Sequence, residues 1–577
     1  MKFAELAEYL EKLERVSSRL EMTRILAELF SKVTSEEGRV VAYLSQGMLG
    51  PKFANPDTGV AEKMVLKAIG AKFEMGGEEP KRVFRRVGDI GLVVEEIKLK
   101  HKGEAKGLKV GEVHEKLLEI AGAGGKGSQE KKIRLIGDLL GDLDRRSAKY
   151  VTRMILGKMR TGFSDMTVLD SLSWMVAGDK SLRSQIEKIY NVRADLGEVV
   201  RLVKEHENLG RLQVEPEVGT PVLVARAERA KTVAEIWERT RPSAAVEHKL
   251  DGLRIQAHIK KGEVKLFSRG LEEVTSMYPE VMEGLVKRVG EDCILDGEII
   301  AVGKDGKYLP FQETVQRKRK YGILELMAKV PLRYCVFDVL SARGKSMLNL
   351  PNEGRWSELE KVLGRNKEEA VRLMPRKIVR SEAEIEDFFR EALRRGTEGI
   401  MVKKLDGVYR SGSRDFNWIK YKKSYDESGV ADTIDAVVMG YDAGEGKRVG
   451  FGIGGFLIGV YDKKDGRYLT IAKVGTGLKD EEWRELKARC QGLRVGEKPA
   501  DYEVNKAMNC DMWVEPKIVV EVKCDEITKS PVHTTGFALR FPRLVSFREM
   551  KVEEAATPAE IKRLFDLQKK GGGGEGG

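Results

Sequence analysis

Cysteine is scarce, with five in 577 residues: Cys293, Cys335, Cys490, Cys510 and Cys524. No two form a C-x-x-C pair and the number is odd. Neither a zinc ribbon nor a disulfide framework is expected, and a reducing cytoplasm is the expected setting. Asn and Gln are also few, nine of each. Charged residues reach 34%, above the roughly 25% usual in soluble proteins. High charge with few amides is a heat-adapted composition. No apolar run approaches the ~20 residues that cross a bilayer. The first residues lack the apolar core of a signal peptide, so no membrane partner is expected. Positive charge is in excess, with 103 Lys and Arg against 91 Asp and Glu, a net +12. A pI near 9.1 points to a polyanionic partner. Hydrophobic residues, at 41%, suffice for several cores, and the length suggests three or four domains of roughly 150 residues.

The first third reads as helical. Phe3, Leu6, Leu10, Leu13 and Leu20 recur at three-to-four spacing, which predicts one apolar stripe. The pattern returns over 113–121 and 133–143, separated by glycines at 122–127. Val214–Pro221 carries two prolines and a glycine, which favours an extended linker and a first boundary. Beyond it the texture is mixed α and β. A hairpin is predicted over 254–267, strands over 294–302, 334–340, 400–404 and 418–422, and a helix over 382–395. From about residue 425 the chain becomes glycine-rich with alternating hydrophobics, which predicts a small barrel. The last seven residues, six of them glycine, are expected to be disordered.

Chemistry concentrates in the middle. Glu247-His248-Lys249-Leu250-Asp251-Gly252-Leu253-Arg254 puts a lysine at the end of a predicted strand, then a turn, then an arginine. A lysine acts as a covalent nucleophile only when its amine sheds its proton, which cationic neighbours or desolvation promote. Downstream stand Ser268-Arg269-Gly270, Leu295-Asp296-Gly297-Glu298-Ile299, Val336-Phe337-Asp338-Val339, Glu398-Gly399-Ile400-Met401-Val402-Lys403 and Trp418-Ile419-Lys420-Tyr421-Lys422. In order and spacing this set resembles the nucleotidyltransferase motifs of polynucleotide ligases and messenger-RNA capping enzymes. The residue types suit a nucleoside triphosphate. Arg254, Arg269, Lys403, Lys420 and Lys422 would neutralise phosphate charge. Glu298 and Glu398 would hold Mg²⁺, with Mn²⁺ as a substitute, through oxygen ligands. Phe337 would stack on a flat base. The resemblance implies that Glu247 sits beside adenine, and that Arg414 in Ser411-Gly412-Ser413-Arg414 contacts the nucleotide.

The resemblance tightens to the ATP-dependent DNA ligases of archaea through two further strings. These are Phe311-Gln312-Glu313-Thr314-Val315-Gln316-Arg317-Lys318-Arg319-Lys320-Tyr321-Gly322 and Phe537-Ala538-Leu539-Arg540-Phe541-Pro542-Arg543. It covers nearly the whole chain. It implies an all-α DNA-binding domain (1–215), an α+β nucleotidyltransferase domain (216–423) and an all-β OB-fold barrel (424–570), with the tail at 571–577. It implies nick sealing in double-stranded DNA with ATP, through AMP carried on Lys249, by a cytoplasmic, nucleoid-associated monomer. In the helical third, Arg145, Arg146, Lys149, Arg153, Lys158 and Arg160 form a basic run ending at Thr161-Gly162, suited to gripping phosphates. The family's closing R-x-D-K string stands here as Arg548-Glu549-Met550-Lys551, with Met in the Asp place. Its cations, Arg548 and Lys551, would face the pyrophosphate leaving group, with Arg540 or Arg543 acting instead if the Met550 departure marks a string that no longer functions. The aromatic pair of a sliding-clamp string is absent around His101–Gly107, where Lys and Gly stand instead. Two rivals remain: an RNA ligase or guanylyltransferase of the same superfamily, and a nucleic-acid-binding scaffold with a dead catalytic fold.

Overall fold

The computed structural model describes every residue except 17, 102–103, 207, 320–321, 365–369, 423–432, 445, 464 and 571–577. The glycine-rich tail, Lys320 and Tyr321 therefore lie outside the described residues. The chain divides into two compact units, Met1–Tyr421 and Lys422–Gly577.

Among the described residues twelve α-helices lie between Phe3 and Glu205. Helix Phe3–Arg15 buries Phe3, Leu6, Leu10 and Leu13 completely. The expected stripe stops there. Leu20 belongs to the next helix, Arg19–Ser31, and is 44% exposed. The break comes at extended Val16, and the Ser18 hydroxyl caps the new helix by accepting from the Glu21 amide. Helices Val110–Gly122 and Ser128–Asp142 flank the glycine punctuation. There Gly125 and Gly127 each take φ +80°, a conformation that a Cβ would strain.

Helix Arg145–Ile155 corrects a second expectation. Asp144 caps it by accepting from the Arg146 and Ser147 amides at 3.0 Å. Every residue from Ser147 to Ile155 is buried, so the helix is interior beyond its first two residues, exposed Arg145 and half-buried Arg146. It stops at Ile155 with Gly157 at φ +62°, ahead of the stop expected at Thr161-Gly162.

The middle of the chain forms two sheets. One orders Arg226–Arg229, Arg414–Lys422, Gly399–Lys404, Ala244–Lys249 and Arg376–Val379. The other orders Glu263–Ser268, Leu253–Lys260, Cys293–Ala301, Leu332–Ala342 and Lys345–Ser346, with Val371–Leu373 beside Leu332–Ala342. The hairpin turn is Lys261-Gly262, both at positive φ, the conformation that matches strand twist. An apolar layer including Leu250, Ile294, Ile300, Phe337, Tyr409 and Trp418 draws on both sheets.

Residues 214–221 carry no regular structure and lie within the first compact unit. They are nonetheless anchored. The Pro221 carbonyl accepts from the Ala194 amide at 3.1 Å, and the Gly219 amide donates to His258 Nδ1 at 2.9 Å. His258 Nε2 in turn meets Gln256 Oε1 at 2.9 Å, and that oxygen also accepts from the Val222 amide. This pattern requires a neutral ring with its proton on Nε2. Burial pushes its pKa down to about 3 from the ordinary 6.5. The unfolded chain thus binds a proton below pH 6.5 that the native chain refuses. The stabilisation is complete above pH 6.5 and is lost as pH falls from there toward 3. Tm is expected to drop between pH 7 and 5, and His258→Asn should flatten that slope. An unchanged slope in calorimetry of the variant would refute the assignment.

The second unit is β-rich. Its main sheet runs Arg494–Val495, Met512–Val514, Ile434–Asp442, Gly455–Asp462, Arg467–Val474 and Tyr502–Glu503. Val519–Lys523 joins it by pairing with both Ile434–Asp442 and Arg543–Arg548. The pairings among described residues leave the sheet open, so closure of the expected barrel is not among them. In place of a ladder, Thr470 is held through Thr534 Oγ1, which accepts its amide at 2.7 Å, and Thr535 Oγ1, which donates to its carbonyl at 2.9 Å. Helix Pro558–Lys570 covers the strand Glu526–Lys529, and Gln568 satisfies both the amide and the carbonyl of Ile527. Capping of this kind blocks edge-to-edge pairing.

Candidate active site

Lys249 is the last residue of its strand, and the next strand, Leu253–Lys260, belongs to the other sheet. The lysine therefore stands where the chain crosses between sheets. The crossing is tight. A Cβ on Gly252 would lie 2.3 Å from the Ile299 carbonyl oxygen, so glycine is required, and the Gly252 amide reaches Glu298 Oε1 at 3.2 Å. On the other side Lys249 pairs in register with Gly399, and the Glu398 amide donates to the Lys249 carbonyl at 2.9 Å. The Glu398 carboxylate is ion-paired with Lys249 Nζ. Two carboxylates, one from each sheet, thus flank the lysine. Burial raises the Glu298 pKa, with Lys249 and Arg254 opposing the shift.

The expected cations divide into two kinds. Lys420 lies in the site, and its pKa is lowered first by burial, then by the charges of Lys249, Arg414, Arg269 and Arg229. These five positive groups converge, a repulsion that the Glu398 carboxylate paired with Lys249 opposes. Arg269 and Arg414 are exposed, and Lys422 ends the strand that carries Lys420.

Arg254 and Lys403 are differently occupied. Arg254 grips Asp296 with two nitrogens, at 3.1 and 2.6 Å, and donates to the Ala225 carbonyl at 2.7 Å. Tyr409 holds the same carboxylate at 2.7 Å. Most of the guanidinium's donors are thereby committed within the protein, so its phosphate role is corrected to a structural one. Lys403 is 1% exposed. It donates to Glu247 Oε2 at 2.8 Å and to the Phe337 carbonyl at 3.1 Å. A buried ammonium needs such a partner, so Lys403 secures Glu247 and is withdrawn from the phosphate set. Phe337 itself is buried, edge-on to Trp418, with Lys403 and Arg254 against both rings. It belongs to the layer between the sheets and presents no open face for a base.

Three residues near the site have no counterpart among the sequence expectations. Asp296 sits inside a quoted motif, and its pairing with Arg254 follows from the adjacent-strand register Arg254↔Glu298. Arg355 is fully buried and holds Asp338 through two contacts of 2.7 and 3.1 Å. Arg376 is the in-register partner of Glu247. The last two lie in segments with no local signal. In the string from Phe311, buried Thr314 accepts from the Ala301 amide at 3.0 Å, and a second task falls to Arg317. It is buried, ion-paired with Glu280 at 2.6 Å and donates to the Val330 carbonyl at 2.7 Å.

Among the described residues no group of three or more His, Cys, Asp or Glu is placed to hold a metal ion. Glu298 and Glu398 remain a pair. A hard divalent cation could take one or two such oxygens and complete its shell from phosphates and water, so the donor set fits Mg²⁺ bound together with a nucleotide.

In the helical third, Lys149 pairs with Glu14 at 2.9 Å, and Arg153, 2% exposed, pairs with Glu14 at 2.9 Å and Asp89 at 3.3 Å. Both are interior, which removes them from a DNA-facing edge. Arg145, Lys158 and Arg160 are exposed, and Arg146 is half-buried against Glu8 and Glu11. In the second unit Arg540 pairs with Glu526, Arg543 with Asp525, and Arg548 with Asp435 at 3.2 Å. Lys551 is exposed. Met550 packs against the apolar cluster around Met439, Leu457 and Trp513, which is what a thioether does there and an aspartate could not.

Comparison with known proteins covers nearly all of this architecture. The family described as "ATP dependent DNA ligase domain" matches residues 224–422, "DNA ligase N terminus" matches 2–173 and "ATP dependent DNA ligase C terminal region" matches 450–551. A "Probable DNA ligase" of Dictyoglomus turgidum is 40% identical over 99% of this chain and 98% of its own length. The "DNA ligase" of Sulfolobus acidocaldarius is 36% identical over 99% of this chain and 98% of its own. The solved structure named Pmar-Lig_PreS3 shares the fold, with a TM-score of 0.52 at 15% identity, over 94% of this chain and 99% of that one.

Proposed function

This chain belongs to the ATP-dependent DNA ligases and seals nicks in DNA, and on that premise we propose which of its residues carry each step. Lys249 Nζ attacks the α-phosphorus of ATP. The bond to the bridging oxygen breaks, pyrophosphate leaves, and AMP stays on Lys249 as a phosphoramidate. The AMP then passes to the 5′-phosphate at the nick. The 3′-hydroxyl attacks that phosphate, AMP departs and the strand is closed.

The observation that carries this reading is the placement of Lys249 between Glu298 and Glu398, beside Lys420 and the exposed Arg269 and Arg414. Lys420, Arg414 and Arg269 receive the phosphates, since phosphoryl transfer depends on positioning and charge neutralisation. Glu298 and Glu398 would hold Mg²⁺, or Mn²⁺ in its place. The bound ion would supply charge neutralisation at the phosphate oxygens.

The domain reading follows. Residues 1–215 grip DNA phosphates, with Arg145, Lys158 and Arg160 as the exposed contacts. Residues 216–423 carry the nucleotide chemistry, and 424–570 form a domain of OB-fold type. The protein works as a monomer on nucleoid DNA in the cytoplasm. No residue is assigned to a sliding clamp.

The direct test is incubation with α-labelled ATP and Mg²⁺ without DNA. A label that survives denaturation, is released by acid and maps to Lys249 is the expected result. A label elsewhere would refute the assignment. Arg548 and Lys551 are assigned to the first step, where pyrophosphate leaves. Arg548→Ala and Lys551→Ala should each lose adenylation yet seal pre-adenylated nicked DNA. Equal loss in both assays would assign them to folding or DNA contact instead.

A further inference from the structure

Among the described residues no ion pair holds the guanidinium of Arg269 or Arg414, and both side chains are exposed. Each charge lowers the pKa of Lys420, so both reach the site. Their placement depends on the backbone turns that carry them, and the helical third braces both turns. Arg269 lies at the tip of the first. The Leu271 amide donates to the Ser268 carbonyl at 2.9 Å, and the Glu272 amide reaches Ser268 Oγ at 3.2 Å. Leu271 closes this turn at φ +66°, a region that a bulky residue keeps only where its surroundings hold it there. Its side chain is 8% exposed and sits in the apolar core whose other buried members, among the described residues, lie between Phe3 and Leu209. Phe53 of the helical third also meets Phe267, on the strand leading into the turn, edge-on with ring centres 6.0 Å apart. The second turn precedes Arg414. Gly412 has φ +67°, and its amide donates to the Leu223 carbonyl at 2.9 Å. The Leu223 amide in turn donates to the Asn191 carbonyl at 2.8 Å. Asn191 stands one residue from the end of helix Arg183–Val192. Its side chain lies so close that a Cβ on Gly412 would come within 2.3 Å of Asn191 Oδ1. Two positions on, Arg414 opens the strand that carries Lys420.

We propose that Leu271 and Asn191 are positioning residues for the first step, through which the helical third sets Arg269 and Arg414 at the triphosphate. This rests on the reading of those two cations as phosphate receivers and deepens it. Leu271 and Asn191 act through the backbone. Each fixes a turn, and the turn fixes a guanidinium. Losing the brace leaves the charge in the protein but misplaces it, and charge neutralisation depends on placement. The helical third thereby takes part in nucleotide binding before any DNA is present, apart from its grip on duplex phosphates. The expected loss is in affinity for ATP and not in the capacity to form the adenylate.

The test follows lysyl-AMP formation by the full-length protein without DNA, across a range of ATP concentration. Leu271→Ala and Asn191→Ala should each raise KM for ATP by about threefold or more, with kcat changed less. Leu271→Met, which keeps an apolar side chain of like volume, should stay within about twofold of wild type. Each alanine variant is then combined with Arg269→Ala and with Arg414→Ala. In the matched pairs, Leu271→Ala with Arg269→Ala and Asn191→Ala with Arg414→Ala, KM should rise no further than in the arginine variant alone, because the brace has lost the cation it places. In the crossed pairs the two factors should multiply. A substitution that merely loosens the fold raises KM by the same factor in every background, so multiplication in either matched pair would overturn the proposal. An unchanged KM in Leu271→Ala and Asn191→Ala would overturn it as well. If Leu271→Ala melts below the assay temperature, the half-buried Asn191 decides through its own matched and crossed pairs. An unchanged KM in Arg269→Ala and Arg414→Ala would instead defeat the reading of these cations as phosphate receivers.

Discussion

Lys249→Arg is expected to abolish formation of the covalent protein–AMP species while leaving the charge at position 249 in place. A guanidinium stays protonated, with a pKa above 12, so at pH 8 its neutral fraction is below about 10⁻⁴. It is a poor nucleophile, yet it can still pair with Glu398, the partner of Lys249 in the native site. The pocket should therefore keep its shape. Sealing of a nick that already bears a 5′-adenylate should persist at a reduced rate, because that step needs the positioned cations and not the amine. The contrast between the two assays is the measurement. Normal labelling of Lys249→Arg with α-labelled ATP would place the nucleophile elsewhere.

Removal of residues 1–213 is expected to weaken binding to nicked duplex by on the order of 10²-fold or more, and to flatten the dependence of binding on salt. Phosphate contacts release counterions, so losing several of them lowers both the affinity and the slope. Starting at Val214 keeps the bonds from Gly219 to His258 and from Val222 to Gln256. Lysyl-AMP formation should continue in the shortened chain, since Lys249, Glu298, Glu398 and Lys420 all lie beyond the cut. That activity also reports whether the shortened chain is folded. Equal affinity and equal salt slope for the two chains would remove the DNA-binding role from the helical third. Within the full chain, Arg145, Lys158 and Arg160 should account for more of the salt slope than Lys149 and Arg153, which are held inside by Glu14 and Asp89.

The sequence alone determined the features that depend on near neighbours. Apolar spacing marked the helix that buries Phe3, Leu6, Leu10 and Leu13. Alternation and a Lys-Gly turn marked the hairpin before Ser268. The string from Glu247 to Arg254 placed a lysine at a strand end followed by a turn, and that is where Lys249 stands. Period and turn chemistry act over a few residues, so they can be read there. Tertiary structure decided what each charge does. Arg254, Lys403, Lys149 and Arg153 have the same composition signal as Lys420 and Arg414, yet the first four are committed to Asp296, Glu247, Glu14 and Asp89. Whether a cation serves a ligand or a buried carboxylate depends on burial and on strand register between distant segments. Lys249 meets Glu398 across 149 positions, and Arg376 meets Glu247 only because their strands pair in register. Nothing in the local sequence around Arg376 carries that information. It arises when the sheet forms and water leaves the space between the strands.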